Sequence, residues 1–550
     1  YDVTKHQPHP YGYPTYVFVG KLFFIIMGSP VAALTTTSAF FGSIAFIPYY
    51  GVVKEISRSR FKAVVSCFLL AVLPQYWLNS EMMVSDIAGL SMSIFTVYLL
   101  YRWTISEKPI YLGLATFALG LSIGAREPNF ILLLLFLYVL FEKRKVPKLR
   151  SLFFQCVLIL FGTLTILYLP VVLLSGGPEA YLRAVWGYRD ADFFYDLFNE
   201  PDLSFALLRR VYTYLVIFPL NWGLGVPVYS IYYPWAEMDV LRSSLVNSAL
   251  GVLRFFLASA FAYCALKCFD WHNPKHRFTL FWFFAPFIFY FFLTGPANPV
   301  PRRILPMLPP ACLILVAGAT ALPIFKSDTR IQTLSRTTRI IRKSFGLTPI
   351  ILLILTLGYH TTMLVSILNT TPPAHEQLIQ YLKQNFHPDT VVIFCFTEAR
   401  AFQRFANEYE WYGAELPFAR AQDFFAFIPS DKKILVTETW ANFIMDNLPE
   451  RSRLRLLARF IRDPLVCWRD ASTSLFEYVR TKEEMDLGLT RTNMIATLYN
   501  ISLRSNQILN NCCIITKPWQ GPSYHVMKSS DPYLYSVDMT CKLRTRPTLK

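Results

Sequence analysis

Charge is what this sequence has least of. Only 16% of its 550 residues are Asp, Glu, Lys or Arg, against about a quarter in a soluble globular domain. That shortage excludes an ordinary soluble protein of this length. Glycine-rich phosphate loops are also missing. The chain has no GxxxxGKS, no GxGxxG and no serine-hydrolase elbow, which argues against a nucleotide-driven pump. The ten cysteines are scattered and none has zinc-finger spacing. Cys67, Cys156, Cys264, Cys268 and Cys312 lie in or beside apolar runs and read as small core residues, while Cys512 and Cys513 are adjacent and do not mark a metal site.

What is abundant is apolar and aromatic: 54% hydrophobic residues, with 47 Phe, 31 Tyr and 11 Trp. Tyr and Trp suit the headgroup level of a bilayer. A spanning helix needs about 20 apolar residues. On that basis ten crossings are expected, near 30–53, 61–79, 84–102, 109–125, 127–141, 151–175, 249–267, 278–294, 304–324 and 347–367. The net charge of +17 gathers in short loops, 54–60, 142–150, 267–277 and 326–346. With these crossings the four loops share one side, which the rule of positive residues inside makes cytoplasmic. The opposite side then holds residues 1–14, the long loop 176–248 and everything after 368.

This gives a polytopic α-helical membrane protein with a small C-terminal α/β extramembrane domain. Residues 1–29 are expected to form an outer loop and an interfacial helix, with Lys21 snorkelling. Residues 30–368 form the multi-helix domain, and 204–233 within it read as an interfacial or re-entrant helix pair. The α/β domain covers 369–480, and 481–550 reads as an irregular tail. Within the α/β domain a helix ends near Asn385, strands lie at 390–396, 432–439 and 475–479, and helical patterns appear at 398–407 and near 441–462. Alternating strands and helices imply a largely parallel sheet. Glu398, Arg400 and Trp411 are candidates to touch an acceptor, but read first as solvated surface.

Four segments carry the candidate chemistry. His6-Gln7-Pro8-His9-Pro10-Tyr11-Gly12-Tyr13-Pro14 is a tight polar loop before an apolar helix, or simply a turn that starts it. Pro74 to Ser80 leads into Ser85-Asp86, where Asp86 is either functional or a plain helix cap. Gly120-Leu121-Ser122-Ile123-Gly124-Ala125 ends in Arg126. Arg302-Arg303-Ile304-Leu305-Pro306-Met307-Leu308-Pro309-Pro310 opens a late helix. Arg126, Arg302 and Arg303 fall at outer edges, where cations are disfavoured. They either bind phosphate or snorkel to headgroups. Arg254, near the outer end of an apolar run, is a weaker candidate. Asp2, His6 and His9 offer ligands for a divalent ion, which is left open as a cofactor.

Taken in order, these segments resemble the GT-C membrane glycosyltransferases of the family 39 type, related to dolichyl-phosphate-mannose protein mannosyltransferases and aminoarabinose transferases. The resemblance covers about 1–370. It implies transfer of a sugar from a polyprenyl-phosphate carrier to a lipid, glycan or protein acceptor on the outer face, with no nucleic acid involved. It implies substrate-binding roles for His6, His9, Tyr13, Arg126, Arg302 and Arg303. It also implies a catalytic acid in the first outer loop. The chain starts with Tyr1 rather than Met, so that acid is expected to precede it; Asp2 and Asp86 are the remaining catalytic candidates. The outer α/β domain tilts the expectation towards a bacterial plasma membrane. A transporter or flippase of a lipid-linked substrate, or a non-catalytic envelope scaffold, is the alternative. A transporter would show inverted repeats and mid-bilayer broken helices, and no repeat is visible.

Overall fold

The computed structural model describes residues 11–192, 203–224, 245–293, 301–321 and 336–395 except 371 and 373. In the C-terminal part it also describes 402, 405–406, 408–413, 428, 431–437, 441, 454–461, 472–479, 525–527 and 536–538. The chain divides into two compact units, Tyr1–Val365 and Ser366–Lys550.

The first unit is helical. Its opening helices are α1 (Pro14–Met27), α2 (Pro30–Ile44), α3 (Phe46–Ser57), α4 (Arg60–Ala71), α5 (Pro74–Glu81), α6 (Asp86–Ser106) and α7 (Pro109–Ala125). Proline, which lacks an N–H and is preset to helical φ, stands in the first turn of α1, α2, α5 and α7, where it costs nothing. A 3-10 turn, Glu127–Ile131, joins α7 to α8 (Leu132–Glu142); then come α9 (Leu149–Leu174), α10 (Pro178–Asp192) and α11 (Leu203–Tyr212). A π-helical stretch, Thr213–Gly223, continues α11. Next are α12 (Leu245–Lys267), α13 (Pro274–Leu293), a 3-10 segment Pro301–Met307, α14 (Leu308–Ala319) and α15 (Arg336–Thr370).

Among the described residues, helices occupy all ten expected stretches, with 294 and 322–324 outside them. Among the described residues, five are long and apolar enough to cross a membrane, or up to six if α4 and α5, bent by 64°, form one span. The others fall short for physical reasons. α6 buries Ser91, Ser93 and Thr96 against its neighbours, so it does not need a fully apolar surface. α8 is only 11 residues long. The outer surface is greasy where lipid would lie: on α9, Phe154, Leu158, Phe161 and Ile166 are all exposed. A helix apolar on its outside is what a bilayer solvates, and the chain is an integral membrane protein.

Lipid is as apolar as leucine, so helix association rests on close packing and interhelical hydrogen bonds. Both are present. Tyr49 donates to the Pro309 carbonyl at 2.8 Å and Thr361 to the Val72 carbonyl at 2.6 Å. Gly318 lets α14 press on α12, since a Cβ there would stand 1.8 Å from the Phe261 carbonyl oxygen. Two buried arginines are held by main chain. Arg254 donates to the carbonyls of Leu224 (2.5 Å) and Thr356 (2.9 Å), and Arg210 to that of Phe291 (2.7 Å).

The second unit is a mixed α/β sheet. Helix α16 (Ala374–Asn385) precedes β1 (Val391–Cys395), β2 (Glu410–Gly413), β3 (Lys433–Thr437), β4 (Leu454–Ile461) and β5 (Ser472–Tyr478). The order is β2-β1-β3-β5-β4. β1 runs parallel to both β2 and β3, while β5 is antiparallel to both β3 and β4. The sheet is therefore mixed, not largely parallel. Residues 454–461, expected to be helical, form edge strand β4. Leu454, Leu457, Ala458 and Ile461 have helical spacing, but pairing with β5 across a bulge between Leu456 and Ala458 overrides that local pattern. Leu378, Leu382, Ile393 and Leu435 pack into one core with Trp411, each such side chain worth roughly 1.5–3 kcal/mol. Trp411 is 1% exposed, a core residue rather than the solvated one expected. Glu398 and Arg400 lie outside the described residues. In the segment expected to be an irregular tail, β6 (His525–Met527) pairs antiparallel with β7 (Ser536–Asp538).

Candidate functional site

Five residues from four sequence segments converge at one end of the helical unit. Tyr13 precedes α1, Asp86 opens α6, Arg126 ends α7, Glu127 opens the turn after it, and Arg302 lies in the 3-10 segment before α14. Asp86 is the hub. Its Oδ1 faces Arg126 Nε at 3.3 Å and its Oδ2 faces Arg302 Nη1 at 3.7 Å, with its side chain 9% exposed. No side-chain capping bond is made at the start of α6 by Ser85, the N-cap residue. The carboxylate at Asp86 is still well placed there, because a helix N-terminus favours negative charge.

Arg126 is held from several directions. Its Nη1 donates to the Tyr13 hydroxyl at 3.1 Å, and its guanidinium lies 5.5 Å from the Tyr13 ring centre, within cation–π range. Burial pushes the Tyr13 phenol well above its ordinary value, against the pull of Arg126, so it stays a neutral acceptor. Tyr13 itself has φ 47°, a left-handed backbone that turns the preceding loop into α1. Beneath Arg126 the helices touch. A Cβ on Gly89 would stand 2.6 Å from the Arg126 Cβ and 2.7 Å from Asn129 Nδ2, so glycine is what allows α6 this close. A polar web fixes the contact: Ser93 and Ser122 share a 2.9 Å hydrogen bond, Ser122 reaches the Gly89 carbonyl, and Asn129 donates to Ser122 Oγ at 3.0 Å.

Of the sequence candidates, Asp86, Tyr13, Arg126 and Arg302 are brought together. Arg303 lies beside Tyr290 of α13 and acts on it electrostatically. Asp2, His6 and His9 lie outside the described residues, and the described residues contain no group of three or more His, Cys, Asp or Glu able to hold a metal. Arg254 is engaged by main-chain carbonyls between α12 and α15.

Two members of the cluster were not singled out by sequence. Glu127 is close enough to feel Arg126, Asp86 and Arg302, and Tyr290 feels Arg126, Asp86 and Glu127. Glu127 adjoins Arg126 at a hairpin tip between two apolar runs, and a carboxylate there was a readable signal. Tyr290 is one of many aromatics in α13 and carried none. Burial raises the Glu127 carboxyl above its ordinary value, with Arg126 opposing.

A cage of two arginines around a carboxylate, at the edge of apolar helices, suits a phosphate on a lipid. Guanidinium matches phosphate oxygens bidentately, and low dielectric magnifies each charge.

Solved structures with similar backbones include the oligosaccharyltransferase of Archaeoglobus fulgidus tethered with an acceptor peptide. It shares 14% identity, with a TM-score of 0.44, 88% of this chain and 69% of that one being covered. ArnT of Cupriavidus metallidurans bound to undecaprenyl phosphate shares 9% identity at a TM-score of 0.39, covering 85% of this chain and 88% of that one. No curated protein matches the sequence significantly. Residues 8–172 match the family model of dolichyl-phosphate-mannose-protein mannosyltransferase, so over the segment that carries Tyr13, Asp86 and Arg126 this chain is similar to the GT-C membrane glycosyltransferases.

Proposed function

We propose that this protein is a membrane glycosyltransferase that moves a sugar from a polyprenyl-phosphate carrier to an acceptor on the outer face. The observation that carries the reading is the convergence of Arg126 and Arg302 on Asp86 at one end of the helices, within a chain whose residues 8–172 match a mannosyltransferase family. Breaking a glycosyl–phosphate bond sheds negative charge onto phosphate. Preorganised cations that meet that charge as it forms are the largest single source of rate in such reactions. The carrier's tail would lie along the apolar helices, leaving its phosphate at the arginines.

The direct test is a transfer assay with full-length protein in lipid nanodiscs and polyprenyl-phosphate mannose as donor. Mannose leaving the carrier is the expected result. Donor that is neither bound nor consumed would move a transporter or scaffold ahead.

Orientation is part of the same proposal. The basic loops 142–150 and 326–346 face the cytoplasm, and the C-terminal unit and the Asp86 end face outward, in a bacterial plasma membrane. In a variant freed of its native cysteines, an impermeant thiol reagent added outside should label Ser430→Cys and spare Lys145→Cys. The reverse pattern would sink this topology.

A further inference from the structure

The cluster holds two carboxylates, and they are not equivalent. Both oxygens of Asp86 are spoken for, one by Arg126 and one by Arg302. Glu127 differs. Its Oε2 is sealed from solvent and has no hydrogen-bond partner among the described residues. A buried acceptor left empty costs about 1–3 kcal/mol, and such an exception calls for an explanation. Its carboxyl takes a hydrogen bond from its own backbone N–H and feels Arg126, and the turn that carries it is fixed by backbone. Pro128 follows it, and the Asn129 N–H donates to the Arg126 carbonyl at 3.1 Å, fixing the 3-10 turn that Glu127 opens. The described groups whose charge acts on or feels Glu127 come from six places: Arg126 at the end of α7, Asp86 from α6, Arg302 from the 3-10 segment, Tyr13 before α1, Tyr181 from α10 and Tyr290 from α13.

Resting on the glycosyl-transfer reading above, we propose that Glu127 is the general base of the transfer, its half-buried carboxylate receiving the proton of the acceptor hydroxyl, while Asp86 is a positioning residue that aims Arg126 and Arg302 at the leaving phosphate. The step balances. The acceptor O–H bond breaks and its proton goes to Glu127. The acceptor oxygen bonds to the anomeric carbon, and the bond from that carbon to the phosphate oxygen breaks with its electron pair. The carrier leaves as a phosphate monoester, carrying the additional charge beside the two arginines. The proton on Glu127 then passes to water or to that phosphate.

The environments separate the two roles, as they do wherever paired carboxylates divide acid–base from electrostatic work. A base works best when its proton affinity lies near the working pH. Burial moves Glu127 in that direction, above an ordinary value of 4.5, with Arg126 limiting the rise.

The experiment compares wild type, Glu127→Gln, Glu127→Asp and Asp86→Asn, full chain in nanodiscs. It reads two quantities: mannose passing from polyprenyl-phosphate mannose to water, the acceptor hydroxyl in this assay, as a function of pH, and affinity for undecaprenyl phosphate. Wild type should show a rate that climbs with pH as a carboxyl loses its proton, with a midpoint above the ordinary carboxylate range. Glu127→Gln should lose that limb and roughly 10²–10⁴ in rate while still binding undecaprenyl phosphate. Glu127→Asp should keep a weakened limb with a moved midpoint, which a merely structural residue would not do. Asp86→Asn should keep the limb and lose affinity. Glu127→Gln at wild-type rate, or a limb abolished by Asp86→Asn instead, overturns the assignment. A wild type that neither binds undecaprenyl phosphate nor consumes the donor overturns the glycosyl-transfer reading itself, and this assignment with it.

Discussion

Helices α6 and α7 carry charge at both ends, and the two ends are built differently. At one end Asp86, Arg126 and Glu127 crowd together, the Asp86 side chain 9% and that of Arg126 19% exposed, and Arg302 reaches Asp86 from a more open position. At the other end, roughly 24 Å along α6 by helical rise, Arg102 pairs with Glu55 at 2.8 Å and Lys143 with Glu107 at 2.5 Å, all substantially open to solvent. Arg277 and Glu142 add a third such pair at 2.9 Å. The exposed pairs are one to one and satisfied by geometry alone. The buried cluster is neither. One carboxylate serves two arginines, and a second carboxylate leaves an oxygen unmet. Exposed ion pairs contribute little and report on topology, whereas a crowded, partly unsatisfied set of charges is costly to keep and points to work on a substrate.

The sharpest way to break this contrast is Arg126→Ala. It removes the cation nearest Asp86 and leaves both carboxylates without their main partner. We expect sugar transfer to fall about 10²–10³-fold, as when one preorganised donor is lost from an oxyanion site. Initial rates with polyprenyl-phosphate mannose measure it. A rate within a few-fold of wild type would mean that the cluster is architecture only.

Next comes Asp86→Asn, read as stability. Taking the nearest carboxylate from the largely buried Arg126 costs on the order of 3 kcal/mol, while Arg302, 40% exposed, is screened by water. Thermal unfolding in nanodiscs should show a clear drop in midpoint, largely recovered in Asp86→Glu. An unchanged midpoint would place Asp86 among the exposed pairs in energetic terms, and the two ends would cease to differ.

How far sequence could anticipate this cluster depends on the residue. The helical stretches were legible because apolar runs of spanning length are rare outside membranes. Asp86, Arg126 and Arg302 were legible because charge at the edge of such runs needs a reason. Their meeting was not, since residues 86, 126 and 302 are joined only by tertiary packing, and α8 shows how a short apolar run hides among longer ones. Glu127 was overlooked although it adjoins Arg126; sequence shows a charge, and only packing shows that its oxygen is shut in. In the C-terminal unit, the strands at 391–395 and 433–437 declared themselves as continuous β-branched and apolar runs. β4 did not, because its leucine spacing suits a helix equally well and only its partner β5 decides.

Gly89→Ala sharpens the comparison without touching a charge. The added methyl would have to displace the Arg126 Cβ, 2.6 Å away, or the Asn129 amide, 2.7 Å away. A shift of a catalytic cation by about 1 Å costs up to roughly 10²-fold, so a rate loss of about tenfold or more is expected, with the sugar donor still bound. Equal activity in Gly89→Ala would show that the arginine tolerates movement, and the argument from preorganisation would fail.

The smallest effect should come from the far end. Arg102→Ala deletes the cation of the Glu55 pair and its contact to the Tyr111 hydroxyl at 3.4 Å. Its side chain is 33% exposed and that of Glu55 29%, so water replaces the lost partner at little cost. Exposed pairs of this kind are worth about 0–1 kcal/mol. Unfolding should therefore shift by no more than that, and transfer should stay at the wild-type rate, because nothing in the pair reaches the Asp86 cluster. The same variant carries a second reading. The loop at 54–60 would lose no basic residue, so its orientation should be unaltered and thiol labelling from outside should keep its pattern. A large loss of transfer in Arg102→Ala would couple the two ends through α6. The exposed pairs would then belong to the working machinery, and the division drawn between the ends would have to be abandoned.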